Sequence, residues 1–449
     1  MNTFIRRLSN LHSDHRRIAQ GAARVAFFLL LGKFAGALKE MAVAYRYGVS
    51  SVVDAYQFTM TMANWLPVTL VGVLSVVLIP VLVRIRYQDP VARARFLREL
   101  QAWVLVLGAA LALLIYMAWP WVLSIAGKGL SPEVRGMSSQ LILAFAPAAL
   151  LTVMTGVSAA RLRAHERHIN TLLDSVPALL ILLCILAWPV RDVRPLLWGT
   201  LLGYLLQSAW QLWLARKADG MWGRPLFTLR SPHWPDLATA AGVMLVGQVA
   251  MSFVGPIDQY TAANLGANAN ATLGYASRLL SLVLGIGAAS VGRAALPVLS
   301  DIQGRGDPVR ARATALKWSC LMVLAGAVVC LVGWLLAPWG VALLFQRGAF
   351  TAQNTVAVSQ VLRWGLLQLP FYFGVLMLVQ LLASQNRYRV MAAIAVANFA
   401  LKAVMNLVLA PRMGVEGIML ATSIMYVLSY TCYVVAAWVL SPDAAQGRP

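Results

Sequence analysis

The sequence predicts an all-α membrane protein of twelve transmembrane helices, arranged as two six-helix pseudo-symmetric lobes around a central cavity. Three observations carry that prediction. The 449 residues are 60% hydrophobic and only 12% charged, with a mean hydropathy of +0.72, whereas soluble domains are about half apolar and about a quarter charged. Apolar runs of roughly 18 residues or more recur along the whole length, as a helix crossing hydrocarbon requires. The residue pattern also repeats with an offset near 218. A membrane β-barrel is excluded, because its strands would alternate apolar and polar residues.

Residues 1–18 form a basic, polar N-terminus without the apolar core and cleavage site of a secretory signal. Spans follow near 19–47, 52–83, 99–126, 137–160, 169–189 and 194–215, giving an N-lobe of 19–216. A cytoplasmic linker occupies 217–236. The C-lobe, 237–441, holds spans near 237–265, 271–300, 314–345, 355–384, 388–410 and 415–440, and 442–449 is a cytoplasmic tail. Runs longer than the bilayer needs are accommodated by tilt or by extension beyond it.

The connections alternate in charge. One set carries Arg84, Arg93 and Arg98, then Arg161 and Arg163, then Arg216, Lys217, Arg224 and Arg230, then Arg310 and Arg312, then Arg387 and Arg389; the other set is short and nearly neutral. The positive-inside rule places the basic set and both termini in the cytoplasm. The net charge of +21 is thereby explained as topology plus attraction to anionic headgroups. No aromatic-basic interleaving accompanies it, so nucleic acid is not an expected partner.

The repeat is visible residue by residue. LKEMAVAYRYG (38–48) aligns with GPIDQYTAANLG (255–266), so that Glu40 precedes Gly48 as Asp258 precedes Gly266. Pro80 falls on Pro297, and Pro120-Trp121 on Pro338-Trp339. Six spans are an even number, so both halves share one orientation and are related by an axis along the membrane normal, with a cavity between them.

Charges inside the spans are the candidate site, since each costs about 2.5 to 3.5 kcal/mol at the bilayer centre. They are Lys33, Lys39, Glu40 and Asp54 in the first half, and Asp258, Arg278 and Lys402 in the second, with Arg293 and Arg363 as weaker cases. Lys33 and Glu40 are seven residues apart, about 10.5 Å along one helix face, flanked by Gly32 and Gly36. Ion pairing that merely locks helices is the competing reading. Lys33, Lys39 and Arg278 outnumber Glu40 and Asp258, which points to an anionic ligand such as a phosphate.

At these residues the sequence resembles a known family. GKFAGALKEMAVAYRYGVSSVVDAYQFTMTMAN (32–64), LGYASRLLSLVLGIGAASVGRAALPVLS (273–300), LLFQRGAFTAQNT (343–355) and MNLVLAPRMGVEGIMLATS (405–423) are similar to segments of the MurJ/MviN family, the lipid II flippases of the MOP exporter superfamily, which also includes MATE transporters. The resemblance implies that Lys33, Lys39 and Arg278 hold a pyrophosphate. Asp54 and Asp258 match family acids; with Glu40 they would couple to an ion or form gate pairs, and Asn64 and Lys402 are further cavity candidates. There are departures: Lys33 and Lys39 stand where the family has arginines, LPVTLVGVLS (66–75) carries no charge where it has several, and the family usually has fourteen spans.

The implied function is a flippase for an undecaprenyl-pyrophosphate-linked saccharide, lipid II or similar, in the bacterial inner membrane, not an enzyme. A flippase for exopolysaccharide repeat units and, less strongly, a MATE-type multidrug exporter are the alternatives. Partners are the lipid-linked saccharide, the bilayer and envelope-biosynthesis enzymes. No cofactor or metal is expected; energy would come from an ion gradient or the membrane potential. Cys184, Cys320, Cys330 and Cys432 sit in apolar runs without ligand spacing and are expected as small buried residues. The five histidines are expected as cytoplasmic surface residues.

Overall fold

The computed structural model describes residues 13–85, 90–165, 170–220, 223–304, 308–385 and 387–439, and their regular structure is all helical. The far N-terminus, Arg86, Arg167 and Arg305, the end of the tail, and the side chains of Arg24 and Arg293 lie outside the described residues. The helices are α1 Ser13–Tyr47, α2 Ser51–Ile85, α3 Pro90–Ile125, α4 Pro132–Ala164, α5 Asn170–Leu173, α6 Val176–Ala187 and α7 Arg194–Asp219. After the linker come α8 Trp234–Ser252, α9 Val254–Ala263, α10 Ala269–Gly304, α11 Pro308–Phe345, α12 Ala352–Leu366, α13 Leu369–Ser384, α14 Tyr388–Met413 and α15 Val415–Val439.

Three expected spans are interrupted. Proline supplies the break where α5 gives way to α6 and α12 to α13: Pro177 and Pro370 occupy the first positions of the second piece, where the missing N–H is tolerated. The break between α8 and α9 falls at Phe253, just before Gly255 and Pro256. Among the described residues, seven helices are long and apolar enough to cross a membrane, so the chain is a multi-pass membrane protein. The helix starts at Ser51, Pro90, Pro132 and Asn170 recur at Ala269, Pro308, Ala352 and Tyr388, 218 to 220 residues later.

The chain forms two compact units. Unit one gathers residues 1–43, 66–119 and 139–245; unit two gathers 44–65, 120–138 and 246–449. Neither unit coincides with the halves 19–216 and 237–441, because the segments 44–65 and 120–138 of the first half pack with the second. In unit one Leu78, Phe96, Leu97 and Val153 form an apolar core. α6 and α7 approach closely there: a Cβ on Gly199 would collide with the Ile181 backbone and one on Gly203 with that of Pro177, the small-residue packing that brings membrane helices into van der Waals contact. In unit two a second core surrounds Ala311, Leu378, Leu381 and Leu382.

Two minor expectations change. Cys330 is buried, but Cys320 is exposed on α11, on a face that also exposes Leu324 and Leu331. His165 is no plain surface residue, since its Nε2 lies 2.8 Å from Asp219 Oδ1 beside the Arg161–Asp219 pair. His233 packs edge-on against Phe96.

Candidate functional site

In unit two, the neutral end of the bundle is fastened by one carboxylate. Asp54, in the first turn of α2 and only 2% exposed, accepts hydrogen bonds from the backbone N–H of Asn268 at 2.5 Å and of Ala271 at 2.6 Å. Those amides open α10, where the first four N–H groups of a helix have no internal partner. A carboxylate there satisfies them and opposes the positive end of the helix dipole. Asn268 itself adopts φ +67°, a left-handed conformation that asparagine tolerates better than most residues, and this turns the chain into the helix. Two turns on, the buried Tyr275 hydroxyl donates to the Gly48 carbonyl at 2.8 Å, and its ring packs against Phe345 and Phe350.

The same contact then occurs twice, once for each half of the repeat. A Cβ on Gly348 would overlap the Tyr45 carbonyl at the end of α1, and one on Gly129 would overlap the Ala263 carbonyl at the end of α9. Each connection that follows the third span of one half therefore seats on the end of the first span of the other. Gly48 and Gly348 have φ of +58° and +61°, which glycine alone adopts without strain, and the Ala349 N–H donates to the Tyr45 carbonyl at 2.9 Å.

The charges within the spans fall into separate groups. In unit one, Lys39 and Glu40 are buried neighbours on α1 and form an ion pair at 2.5 Å, while Lys33 is exposed one and a half turns earlier. Glu40 is thus engaged by the residue beside it and not by Lys33. In unit two, Lys402 is fully buried; its ammonium donates to Asp258 Oδ1 at 2.8 Å, to the Ile418 carbonyl at 2.6 Å and to Thr422 Oγ1 at 2.7 Å. Asp258 also accepts from Asn406 Nδ2 at 2.9 Å. Lys402 is therefore enclosed rather than open to a cavity: its three N–H donors are all used, and it ties α9, α14 and α15 together. Arg278 on α10 is half-buried with Nη2 3.2 Å from Met60 Sδ. Asn64 is half-buried, and its Oδ1 has no hydrogen-bond partner. Arg363 donates to the Trp334 carbonyl at 3.0 Å and lies over that ring.

The comparisons with known proteins bear on this arrangement. The family model described as "Lipid II flippase MurJ" matches residues 43–446. The chain belongs to the MurJ family. A probable lipid II flippase MurJ from Synechocystis is 25% identical over 95% of this chain and 82% of its own length. Another from Bdellovibrio bacteriovorus is 30% identical over 50% of this chain, and that match spans 43% of the relative's length. A solved lipid II flippase MurJ in an inward closed conformation superposes with a TM-score of 0.78 at 18% identity, covering 93% of this chain and 88% of that one, which establishes a shared transporter fold.

The MurJ model takes in Asp54, Asp258, Arg278 and Lys402 but begins after Lys33, Lys39 and Glu40. The cap that Asp54 places on α10 in this MurJ family member also uses groups that sequence patterns do not mark. Backbone amides of Asn268 and Ala271 carry no side-chain signature; the available signal was the LGANANATLG stretch (265–274), whose Asn and Gly residues favour left-handed turns. Asn270 of that stretch is wholly buried.

Proposed function

We propose that this protein is a lipid II flippase, moving an undecaprenyl-pyrophosphate-linked saccharide across the bacterial cytoplasmic membrane by alternating access through twelve spans, with both termini cytoplasmic. The observation that carries the substrate is the match of the lipid II flippase MurJ model across residues 43–446. The observation that supports alternating access is the set of contacts joining first-half and second-half segments at the neutral end of unit two. Opening that end requires Asp54 to leave the α10 amides and the two glycine-lined connections to part.

Charge counting supports an anionic headgroup. Four cations, Lys33, Lys39, Arg278 and Lys402, stand against three acids, Glu40, Asp54 and Asp258. Lys402 and Asp258 compensate each other at 2.8 Å and Lys39 and Glu40 at 2.5 Å, and with Asp54 counted the set still carries one net positive charge. On this reading Lys33 and Arg278 bear the diphosphate, Lys39 adds to them when Glu40 turns away, Asn64 lines the path, and the polyprenyl tail stays in lipid. The membrane potential supplies about 2.3 kcal/mol per elementary charge per 100 mV, comparable with the roughly 1 to 3 kcal/mol that a charge-assisted hydrogen bond contributes. Moving one charge with the headgroup is therefore enough to shift a latch of this size.

The deciding experiment expresses the chain in cells depleted of their own lipid II flippase. Restored growth with lipid II appearing on the outer leaflet is the expected result. Normal insertion with no rescue, together with rescue of an exopolysaccharide flippase mutant, would move the assignment to that substrate.

A further inference from the structure

The segment joining the two halves is an ordered strap, and its chemistry points to a second ligand. Residues 223–233 run without a helix along the start of α3, in unit one. Glu99, fully buried, is their anchor: it accepts from Thr228 Oγ1 at 2.6 Å, Trp234 Nε1 at 2.8 Å, and the Arg230 and Ser231 amides at 3.1 and 3.2 Å. Trp103 Nε1 donates to the Thr228 carbonyl at 3.0 Å, and the Leu226 N–H to the Arg98 carbonyl at 3.1 Å. Thr228 faces α3 through its bond to Glu99, while its neighbours Phe227 and Leu229 are 64% and 57% exposed. Arg224 and Arg230, both exposed, bracket them.

The position of the strap decides what meets that face. α3 has 36 residues, about 54 Å of helix at 1.5 Å per residue, against roughly 30 Å of hydrocarbon. Trp121, 67% exposed, marks one boundary as an interfacial aromatic. About twenty residues back from it, the length that crosses hydrocarbon, lies Gln101, between Glu99 and Trp103. The strap is pinned at those two residues, so it lies at the opposite boundary of the hydrocarbon and not out in solvent.

We infer that the strap is a binding surface for anionic lipid: Phe227 and Leu229 enter the acyl region of the leaflet, and Arg224 and Arg230 take the phosphates of its headgroups. Two apolar side chains between two arginines match the leaflet in both polarity and charge, and anionic lipid attracts basic residues at this depth. The surface is separate from the proposed headgroup path and does not depend on which saccharide is carried.

The test uses the full chain carrying Cys184→Ala, Cys320→Ala, Cys330→Ala and Cys432→Ala, with Leu229→Cys bearing a nitroxide. The protein is reconstituted in phosphatidylglycerol vesicles or in phosphatidylcholine vesicles. The expected result is more collision with oxygen than with a water-soluble nickel chelate in phosphatidylglycerol, a ratio reduced several-fold in phosphatidylcholine or by Arg224→Gln with Arg230→Gln. Dominant nickel collision in both lipids would put the strap in water and overturn the inference. Protection from both reagents would show a protein surface covering it, with the same consequence. Oxygen excess that ignores lipid charge and both arginine substitutions would refute recognition of anionic lipid. Because position 229 is exposed, the label leaves the fold intact.

Discussion

Asp54 on α2 and Ala271 on α10 are joined by a hydrogen bond of 2.6 Å from amide to carboxylate, although they are 217 residues apart in sequence. A side chain of the first half thus caps a helix of the second. The cap can be weakened by changing one group of the side chain. In Asp54→Asn one acceptor survives, while the charge and the second acceptor are lost, a cost of roughly 1 to 2 kcal/mol. Since about 1.4 kcal/mol is a tenfold change in an equilibrium, Gln57→Cys, at a buried position on α2, should react with an impermeant maleimide about tenfold faster in the Asp54→Asn background. Equal rates in the two backgrounds would remove Asp54 from the latch.

Glycine geometry gives an independent prediction. Gly348→Ala places a Cβ against the Tyr45 carbonyl at a φ of +61°. A left-handed alanine costs about 1 to 2 kcal/mol before any clash, so thermal unfolding of the purified protein should occur about 1 to 2 °C lower from this cost alone, and lower still with the clash. Gly36→Ala, in mid-helix with open space around it, should be neutral or stabilising by up to about 1 kcal/mol. The contrast fails if both variants unfold alike.

The sequence told more about the membrane and the repeat than about the partners of its charges. Hydropathy and the recurrence of Pro80 at Pro297 and Gly48 at Gly266 revealed a duplicated helical bundle, because burial and turn geometry leave periodic marks. The aligned acids Glu40 and Asp258 were also found, but their partners were not. Glu40 pairs with the adjacent Lys39 through rotamers that no helical period encodes, and Asp258 meets Lys402 only because α9 and α14 pack together. Asp54 binds backbone amides, which have no residue code. Glu99 was missed altogether, and the available signal was an acid at the first turn of an apolar run in a chain with 16 acids and 37 bases.

The Lys402–Asp258 pair separates a structural charge from a transported one. Breaking a buried pair by removing one partner costs roughly 3 to 5 kcal/mol, whereas replacing both with neutral groups is often tolerated. Lys402→Met and Asp258→Asn should each lower the unfolding temperature, and the double variant should recover most of the loss. If the pair only ties α9, α14 and α15, the double variant also flips substrate at a near-normal rate. A double variant that is stable but inactive would instead give one of these groups a part in transport.

The cations of the proposed diphosphate cradle predict a different pattern. Arg278→Ala and Lys33→Ala should abolish translocation while the protein still inserts and unfolds near its usual temperature; Lys39→Ala should also abolish it but unfold at a lower temperature, because it takes the paired cation from the buried Glu40. Arg278→Lys keeps the charge but loses the two-pronged geometry for phosphate oxygens, so it should retain partial activity. Wild-type flipping in the alanine variants would discard the diphosphate cradle.

Glu99 makes the linker testable by proteolysis. Its carboxylate holds four donors from residues 228–234, and hydrogen bonds to a charged group contribute about 1.5 to 3 kcal/mol each when buried. Glu99→Gln turns one oxygen into a donor. That donor then faces either the Arg230 amide beside Thr228 Oγ1, which can turn to accept, or the Ser231 amide and Trp234 Nε1, so at least one contact becomes unfavourable. The strap should detach without unfolding the bundle, because the core around Leu78, Phe96 and Val153 is apolar and its packing does not use the carboxylate. Trypsin should then cut after Arg230, which precedes Ser231, at least about tenfold faster than in the parent, the factor that about 1.4 kcal/mol of opening predicts, with the two fragments still co-migrating in detergent. Cleavage at the parent rate would mean that the segment is held by contacts other than those of Glu99.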